Sequence, residues 1–468
     1  MAEKEKKLTR RTFLKDSAVA ATGLTVGLHA IGTSVRPVLG AGEKIRVGFI
    51  GVGNRGTELM HRFMGEPNVE VAALCDVYEP FVSRDVSKVD AGLKKELGGR
   101  IKEMGENFGN EVKRYQDFRQ LLEQKDIDAV VIGTPDHWHA IQTIMACEAG
   151  KDVYVEKPMT IAPFEGPKMV EAAQSNNRVV QVGLQRRSSA AFKRLASEVQ
   201  GGKIGKVTVT RAYRISNMAP HGIGKYPAKP PIAGLDWDMW LGPRGKRPYQ
   251  DNIAPYKFRW WQAYSSQVAN WGVHYFDFIR WVIGEEAPVS VSAHGGRYAI
   301  DDDRTIPDTM EVVFEFASGS LLTFGQYEAC GGRAISEGEI EFKGTLGNIF
   351  SIHRSQGNGY IIEPSSDGQF QSQEPRMAAE TVELKEGDLT VLHIRNFLDC
   401  VKSRARCNCD LETGHRSTMF AHLANIALET KSRLEWDPKK ERITNNDAAN
   451  KLLSYSYRKP WDELISRT

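Results

Sequence analysis

At 468 residues the chain exceeds what one ordinary core fills, so two domains or more are expected, and its 41% hydrophobic and 26% charged residues suit a globular protein. The formal charge is +3, but residues 1–40 hold a surplus of four positive charges and leave the remainder at −1, which gives no ground for a nucleic-acid partner. Cysteines 75, 147, 330, 400, 407 and 409 have no zinc-type spacing, so buried thiols are expected and no metal.

The run Thr9-Arg10-Arg11-Thr12-Phe13-Leu14-Lys15 precedes a weakly apolar segment, Ser17 to Ile31, and then the small residues Gly40, Ala41 and Gly42. It looks like a twin-arginine export signal, and it is too short and too weakly apolar for a membrane span. A periplasmic or otherwise exported protein is expected, with no membrane contact beyond that signal. Such a route moves folded proteins, so a cofactor loaded before export would have to stay bound between turnovers.

Ile45 to Ile50 reads as a buried strand that opens into Gly51-x-Gly53-x-x-Gly56, and Thr57 to Phe63 reads as a helix. A second strand, Val69 to Leu74, ends at Asp76, about 20 residues past the glycines, where a dinucleotide fingerprint wants a ribose-binding carboxylate. Gly51 permits the turn, Gly53 lets backbone approach a pyrophosphate, and Gly56 lets helix and strand pack closely. Phe81 to Leu97 reads as a charged helix broken by Gly98-Gly99, and Asp117 as the N-cap of a helix through Glu123. Strands at Ile127 to Ile132, Val153 to Val155 and Val179 to Val182 alternate with helices to Ala149 and over Pro163 to Asn176. That alternation predicts a doubly wound parallel sheet.

From Gly205 the pattern changes. Val207 to Tyr213, Val289 to Ala293, Met310 to Phe316, Ser320 to Tyr327 and Gly338 to Phe342 predict an open, largely antiparallel sheet. Residues 216–269, rich in Pro, Trp and Tyr, read as a long ordered loop near a site. Helices are expected over Leu392 to Val401 and His415 to Lys431. The domains expected are a leader, 1–42; a dinucleotide-binding domain, 43–160; a substrate and oligomerisation α/β domain, 161–430; and a tail with a helix, 431–468.

The glycine fingerprint with Asp76, Thr134-Pro135-x-x-x-His139, Glu156-Lys157-Pro158 and Asn270-Trp271-Gly272-Val273-His274-x-x-Asp277 occur in this order. With them the chain resembles the Gfo/Idh/MocA oxidoreductases over roughly residues 44 to 430. The resemblance implies a Rossmann domain followed by an α/β domain whose open sheet carries substrate contacts and a homo-oligomer interface. It implies NAD, with NADP as the alternative, held by Gly51, Gly53, Asn54, Arg55 and Gly56 at the pyrophosphate and Asp76 at the ribose. Thr134, Pro135 and His139 would lie along the nicotinamide half, and Glu156 and Lys157 would face nicotinamide and substrate, with a cis bond often preceding Pro158. His274 would be the acid/base.

Chemistry supports these roles independently. Taking hydride from a carbinol carbon requires removing the hydroxyl proton, which suits His, while an ammonium such as Lys157 stabilises the developing alkoxide. Residues 270, 274 and 277 fall on one helical side, opposite an apolar stripe of Trp271, Tyr275, Phe278 and Val282. Many members of the family have Asp where this chain has Asn270; Asn can orient an imidazole but not neutralise it, which leaves Lys157 as a rival acid/base. Arg186-Arg187 and Tyr213-Arg214 are substrate-contact or surface residues, Trp260-Trp261 stack on a sugar or fill a core, and Asp301-Asp302-Asp303 reads as a solvated acidic turn. Asp136, His137 and His139 fit no established zinc pattern. Arg55 and Arg84 are the groups that could receive a 2′-phosphate.

The substrate expected is a small carbohydrate with a secondary hydroxyl: a sugar, polyol or sugar derivative. The rival readings are an NAD-dependent glycosidase that oxidises C3 transiently, eliminates, adds water and reduces again, and a non-catalytic sugar-binding protein.

Overall fold

The computed structural model describes residues 43–97, 111–354 and 357–463; the leader with its expected export signal and the Gly98-Gly99 break lie outside the described residues. The first sheet is parallel, with strands β1 (Ile45–Ile50), β2 (Val69–Cys75), β3 (Lys113–Tyr115), β4 (Ala129–Ile132), β5 (Asp152–Val155) and β6 (Val180–Val182) in the order β3-β2-β1-β4-β5-β6. β4 and β5 are buried at every position, as strands covered on both faces must be. The order reverses beside β1, so the crevice at the carboxyl ends of β1 and β4 is where an open parallel sheet receives a ligand.

The expected boundary at residue 160 falls inside this sheet, because its sixth strand follows it. The expected helix over Phe81 to Leu97 is instead three short turns. Arg84 adopts a left-handed conformation (φ 58°) after the helix Glu79–Ser83, and helix resumes at Ala91–Leu97. Asp117 caps the next helix as expected, accepting from the Arg119 amide.

The second sheet has ten strands: β7 (Val207–Ile215), β8 (Ser290–Gly296), β9 (Thr309–Glu315), β10 (Leu321–Tyr327), β11 (Ile340–Gly344), β12 (Gly347–Arg354), β13 (Gly357–Pro364), β14 (Glu380–Leu384), β15 (Leu434–Asp437) and β16 (Arg442–Ile443). Their order is β14-β13-β12-β11-β7-β10-β9-β8-β15-β16, antiparallel except for the central β7–β10 pair. Alternation along β9, half-buried then buried, turns Val312 and Phe314 onto the core. There they meet the helices Ala190–Gln200, Val273–Ile283 and Leu411–Thr430 through Phe192, Phe276 and Phe420.

The tail is built into both domains. β15 and β16 extend the second sheet, and the chain then returns to the first domain. Tyr455 and Tyr457 donate to the buried Glu165, Arg458 donates to the Gly242 carbonyl, and Trp461 packs edge-on against Trp138 with ring centroids 4.8 Å apart. Among the described residues no helix is long and apolar enough to cross a membrane.

Candidate active site

One cavity of about 630 Å³ runs from the glycine loop to the second sheet. At one end the loop after β1 is shaped by its glycines. Gly51 has φ +82°, and a side chain there would meet the Thr134 backbone at 2.7 Å. A Cβ on Gly56 would lie 1.7 Å from the Gly51 carbonyl oxygen, and one on Gly53 would fill the space in front of the Phe81 ring at 3.0 Å. The helix Asn54–Met64 starts with no side-chain cap and no acid in its first turn, which leaves its first amide groups for a ligand.

Asp76 stands at the end of β2 and accepts from the Val52 and Tyr78 amides at 2.9 and 3.0 Å. Burial lifts its carboxyl to about 6 against the opposing pull of those bonds. Each of its oxygens keeps a lone pair for a ribose hydroxyl. The cradle and this acceptor fit a nicotinamide dinucleotide. Arg84, by contrast, is buried beneath the loop and donates to the Val52 carbonyl and the Thr57 hydroxyl.

Further along, Thr134 and Pro135 line the wall after β4, and the Thr134 hydroxyl donates to Gln142 at 2.7 Å. His139 places its ring nitrogens against the Thr134 and Pro158 carbonyls, tying this loop to the cis Lys157–Pro158 bond. The three polar groups that sequence alone could imagine as a metal cluster are dispersed: His137 reaches the Trp240 carbonyl, His139 those two carbonyls, and Asp136 the Ser265 hydroxyl. Among the described residues no group of three or more His, Cys, Asp or Glu is gathered to hold a metal ion.

Glu156 is buried and bonded to Arg55 at 2.7 Å. Burial opposes its charge, but Arg55 and then Lys157 outweigh it and hold the carboxyl below its ordinary value. Lys157 reaches across to the second domain, where its Nζ donates to both the backbone and side-chain oxygens of Asn270, at 2.7 and 2.8 Å. Burial pulls this amine down to about 8, only partly offset by Glu156 and Asp136. His274 lines the same cavity and is pushed well below its ordinary value by burial and then by Lys157. At neutral pH the pair is therefore a neutral imidazole beside an amine that titrates near the working range.

Behind Asn270 runs a chain of hydrogen bonds. The Asn270 amide donates to Gln267 at 3.1 Å, Gln267 donates to Glu328 at 2.9 Å, and Glu328 also accepts from Trp260 and from the fully buried Arg304. Asp302 pairs with Arg304 from the other side, so the acidic turn read as solvated is buried at its centre; only Asp301 reaches out, to Lys225. The chain fixes which way the Asn270 amide points and so keeps its oxygen on Lys157.

A π-helical turn, Val268–Gly272, precedes the helix Val273–Ile283. Its wider turn moves Trp271 off the predicted apolar stripe, whereas Tyr275, Phe278 and Val282 keep to the core as expected. Asn270, Trp271 and His274 line the cavity together, although Trp271 was expected on the apolar stripe. Asp277, expected beside them, is buried elsewhere and accepts from Arg187 at 2.8 Å and from Ser417 at 2.6 Å.

Two sequence candidates for substrate contact sit off the cavity wall, and in each case a neighbour takes the place. Arg186 pairs with Glu339 and lies over the Tyr275 ring, while Gln185 faces the cavity. Tyr213 points to the opposite face of β7, beside Tyr327, and Arg214 faces in. The loop 216–269 closes the cavity with Tyr256, Arg259 and Trp260, whereas Trp261 is buried and donates to the Asn252 carbonyl. Arg259, Gln267 and Glu328 carried no signal in the sequence.

A parallel sheet with a glycine-rich first turn and a second, open-sheet domain closing over its crevice defines a dinucleotide-dependent oxidoreductase. More particularly, this chain belongs to the Gfo/Idh/MocA oxidoreductase family: residues 45–184 match its NAD-binding Rossmann fold and residues 206–463 its C-terminal alpha/beta domain. It is 33% identical over 183 residues to a glycosyl hydrolase family 109 protein of Shewanella baltica, covering 36% of this chain and 38% of that one. Over the same length it is 31% identical to an alpha-N-acetylgalactosaminidase of Shewanella oneidensis, so the similarity spans little more than a third of these relatives. The fold is similar to that of a levoglucosan dehydrogenase solved with NADH, at 16% identity and a TM-score of 0.60 over 84% of this chain and 99% of that one.

Proposed function

We propose that the protein oxidises or reduces a secondary hydroxyl of a sugar, polyol or sugar derivative with a tightly held nicotinamide dinucleotide. The observation that carries this reading is that an amine near its titration point and a neutral imidazole, delivered by different domains, face one cavity with the glycine loop. Gly51, Gly53, Asn54, Arg55 and Gly56 would hold the pyrophosphate and Asp76 the adenosine ribose. Thr134, Pro135, His139 and Glu156 would flank the nicotinamide. When bound, the dinucleotide supplies a hydride acceptor or donor for the carbinol carbon. Lys157 takes the hydroxyl proton at Nζ in oxidation and returns it in reduction, while the neutral His274 donates its ring N–H to the hydroxyl oxygen and orients it. Asp76, with Arg84 turned beneath the loop, favours NAD over NADP.

The second reading, a glycosidase working through transient C3 oxidation, is supported by the glycosyl hydrolase relatives. It also suits an exported protein, because a cycle that returns its hydride needs no external redox partner. Export by the twin-arginine route, periplasmic residence, a domain organisation that follows the two sheets and a homo-oligomer through the open face of the second sheet all belong to this proposal. The half-buried outward positions of β9 favour that interface, and light scattering of the purified protein measures it.

The test is to denature the purified protein and assay the supernatant for dinucleotide, then to incubate native protein with sugars and nitrophenyl glycosides without added NAD. A sugar-dependent change in nicotinamide absorbance without cleavage supports the oxidoreductase, and nitrophenol release supports the glycosidase. No released dinucleotide overturns both, as does conversion left untouched by Lys157→Ala and His274→Ala.

A further inference from the structure

We infer that the sugar taken by this cavity carries an anionic group, a carboxylate or a sulfate ester, received by Arg214 and Arg259. The inference deepens the proposed carbohydrate oxidoreductase site and rests on it.

On the substrate side most of the polar groups already have hydrogen-bond partners within the protein. Lys157 is held by the two oxygens of Asn270. Glu328 is held on both oxygens, by Gln267 on one and by Trp260 and Arg304 on the other, and Asp136 accepts from Ser265. Arg214 and Arg259 both line the cavity; among the described residues neither forms a salt bridge, and Arg259 acts on Asp136 and Glu96 only at longer range.

Arg214 lies over Trp271, its guanidinium carbon 3.8 Å from the ring centroid. Arg259 makes one bond, to the Tyr256 carbonyl at 2.8 Å, and sits over the rings of Tyr256 and Phe258 at 4.5 and 4.6 Å. A ring held against each guanidinium covers one side of it and favours its charge while leaving N–H groups for an acceptor. A part-buried guanidinium without a counter-charge is costly, and an anionic ligand relieves that cost. A sugar hydroxyl offers one weak acceptor, whereas a carboxylate or sulfate offers two charged oxygens matched to the fork. The cofactor's phosphates are not the match for Arg214, because it stands on β7 against Trp271, three residues before His274, and the phosphate cradle is the glycine loop of the other domain.

The experiment uses the full chain with its retained dinucleotide. Glucose, glucuronate and glucose 6-sulfate, and the same trio built on galactose, are titrated by tryptophan fluorescence, which Trp271 beneath Arg214 reports, and by nicotinamide absorbance. One anionic series is expected to bind roughly tenfold to a hundredfold more tightly than its neutral counterpart, the worth of a charge-assisted hydrogen bond. A winning uronate identifies a carboxylate, and a winning 6-sulfate identifies the ester. Arg214→Lys and Arg259→Gln are each expected to bring that ratio towards one, with dinucleotide content per chain as the check on folding. Neutral sugars binding as well as both anionic series, or a ratio untouched by both substitutions, overturns the inference. An anionic preference in fluorescence with a silent nicotinamide supports the inference and overturns the oxidoreductase reading instead.

Discussion

The two ends of the cavity are built on opposite principles. The cofactor end is made by one short stretch: Gly51, Gly53 and Gly56 act through absent side chains, and Asp76 follows one strand later. The substrate end draws Arg214 from β7, Trp260 from a loop, Asn270 from a π-helical turn and Glu328 from the end of β10. The first is local geometry, in which a single atom too many is decisive. The second is a register assembled over long sequence separation, in which each group depends on several others. The contrast predicts that damage at the first end removes the ligand, whereas damage at the second changes chemistry with the ligand retained.

The sharpest way to break that contrast is Gly56→Ala. The new methyl would lie 1.7 Å from the Gly51 carbonyl, against backbone that cannot move without opening the β1 turn. Complete loss of retained dinucleotide is expected, read by absorbance of the denatured supernatant. Retention at the wild-type level would mean that the loop is not the cradle. Next comes Lys157→Met, which keeps the volume but removes the amine from between Asn270 and the cavity. A fall of about 10³-fold in kcat is expected, the scale of a lost proton-transfer group, with dinucleotide content unchanged.

The same contrast explains what was legible in the sequence. β1, the glycine loop and Asp76 follow from periodicity and turn chemistry, because cause and effect lie within 32 residues, from Ile45 to Asp76. The central strands of the second sheet follow from alternation, but β12 to β16 did not, and the tail's return to Glu165 is a long-range contact with no local mark. At the substrate end, period-two alternation could have decided between Tyr213 and Arg214 once one face of β7 was known to be inward. Nothing local marks the π-helical turn that moves Trp271 to the cavity, and nothing local pairs Asp277 with Arg187, 90 residues earlier. Likewise Asp302 looks solvated until Arg304 is found fully buried between it and Glu328. Partners brought together by folding are invisible to a reading that moves along the chain.

The finest test of the substrate end concerns Asn270. Asn270 offers Lys157 its backbone carbonyl and its amide oxygen as acceptors but no opposing charge, so burial wins and the amine falls to about 8. Asn270→Asp puts a carboxylate 2.8 Å from Nζ in place of the amide oxygen. The ammonium form is then favoured, and the Lys157 pKa rises, by roughly 1 pH unit or more. Only the free amine can take a proton from the substrate hydroxyl, so oxidation increases as pH rises through this pKa, and the substitution moves that limb upward. At pH 7 the oxidation rate should fall about tenfold for a limb displaced by one pH unit, with recovery in alkali; reduction, which needs the ammonium, should keep its rate to higher pH. The measurement is kcat against pH in both directions for the two proteins. An oxidation limb that stays near 8 in the variant would mean that Lys157 is not the titrating group, and would return the acid/base role to His274.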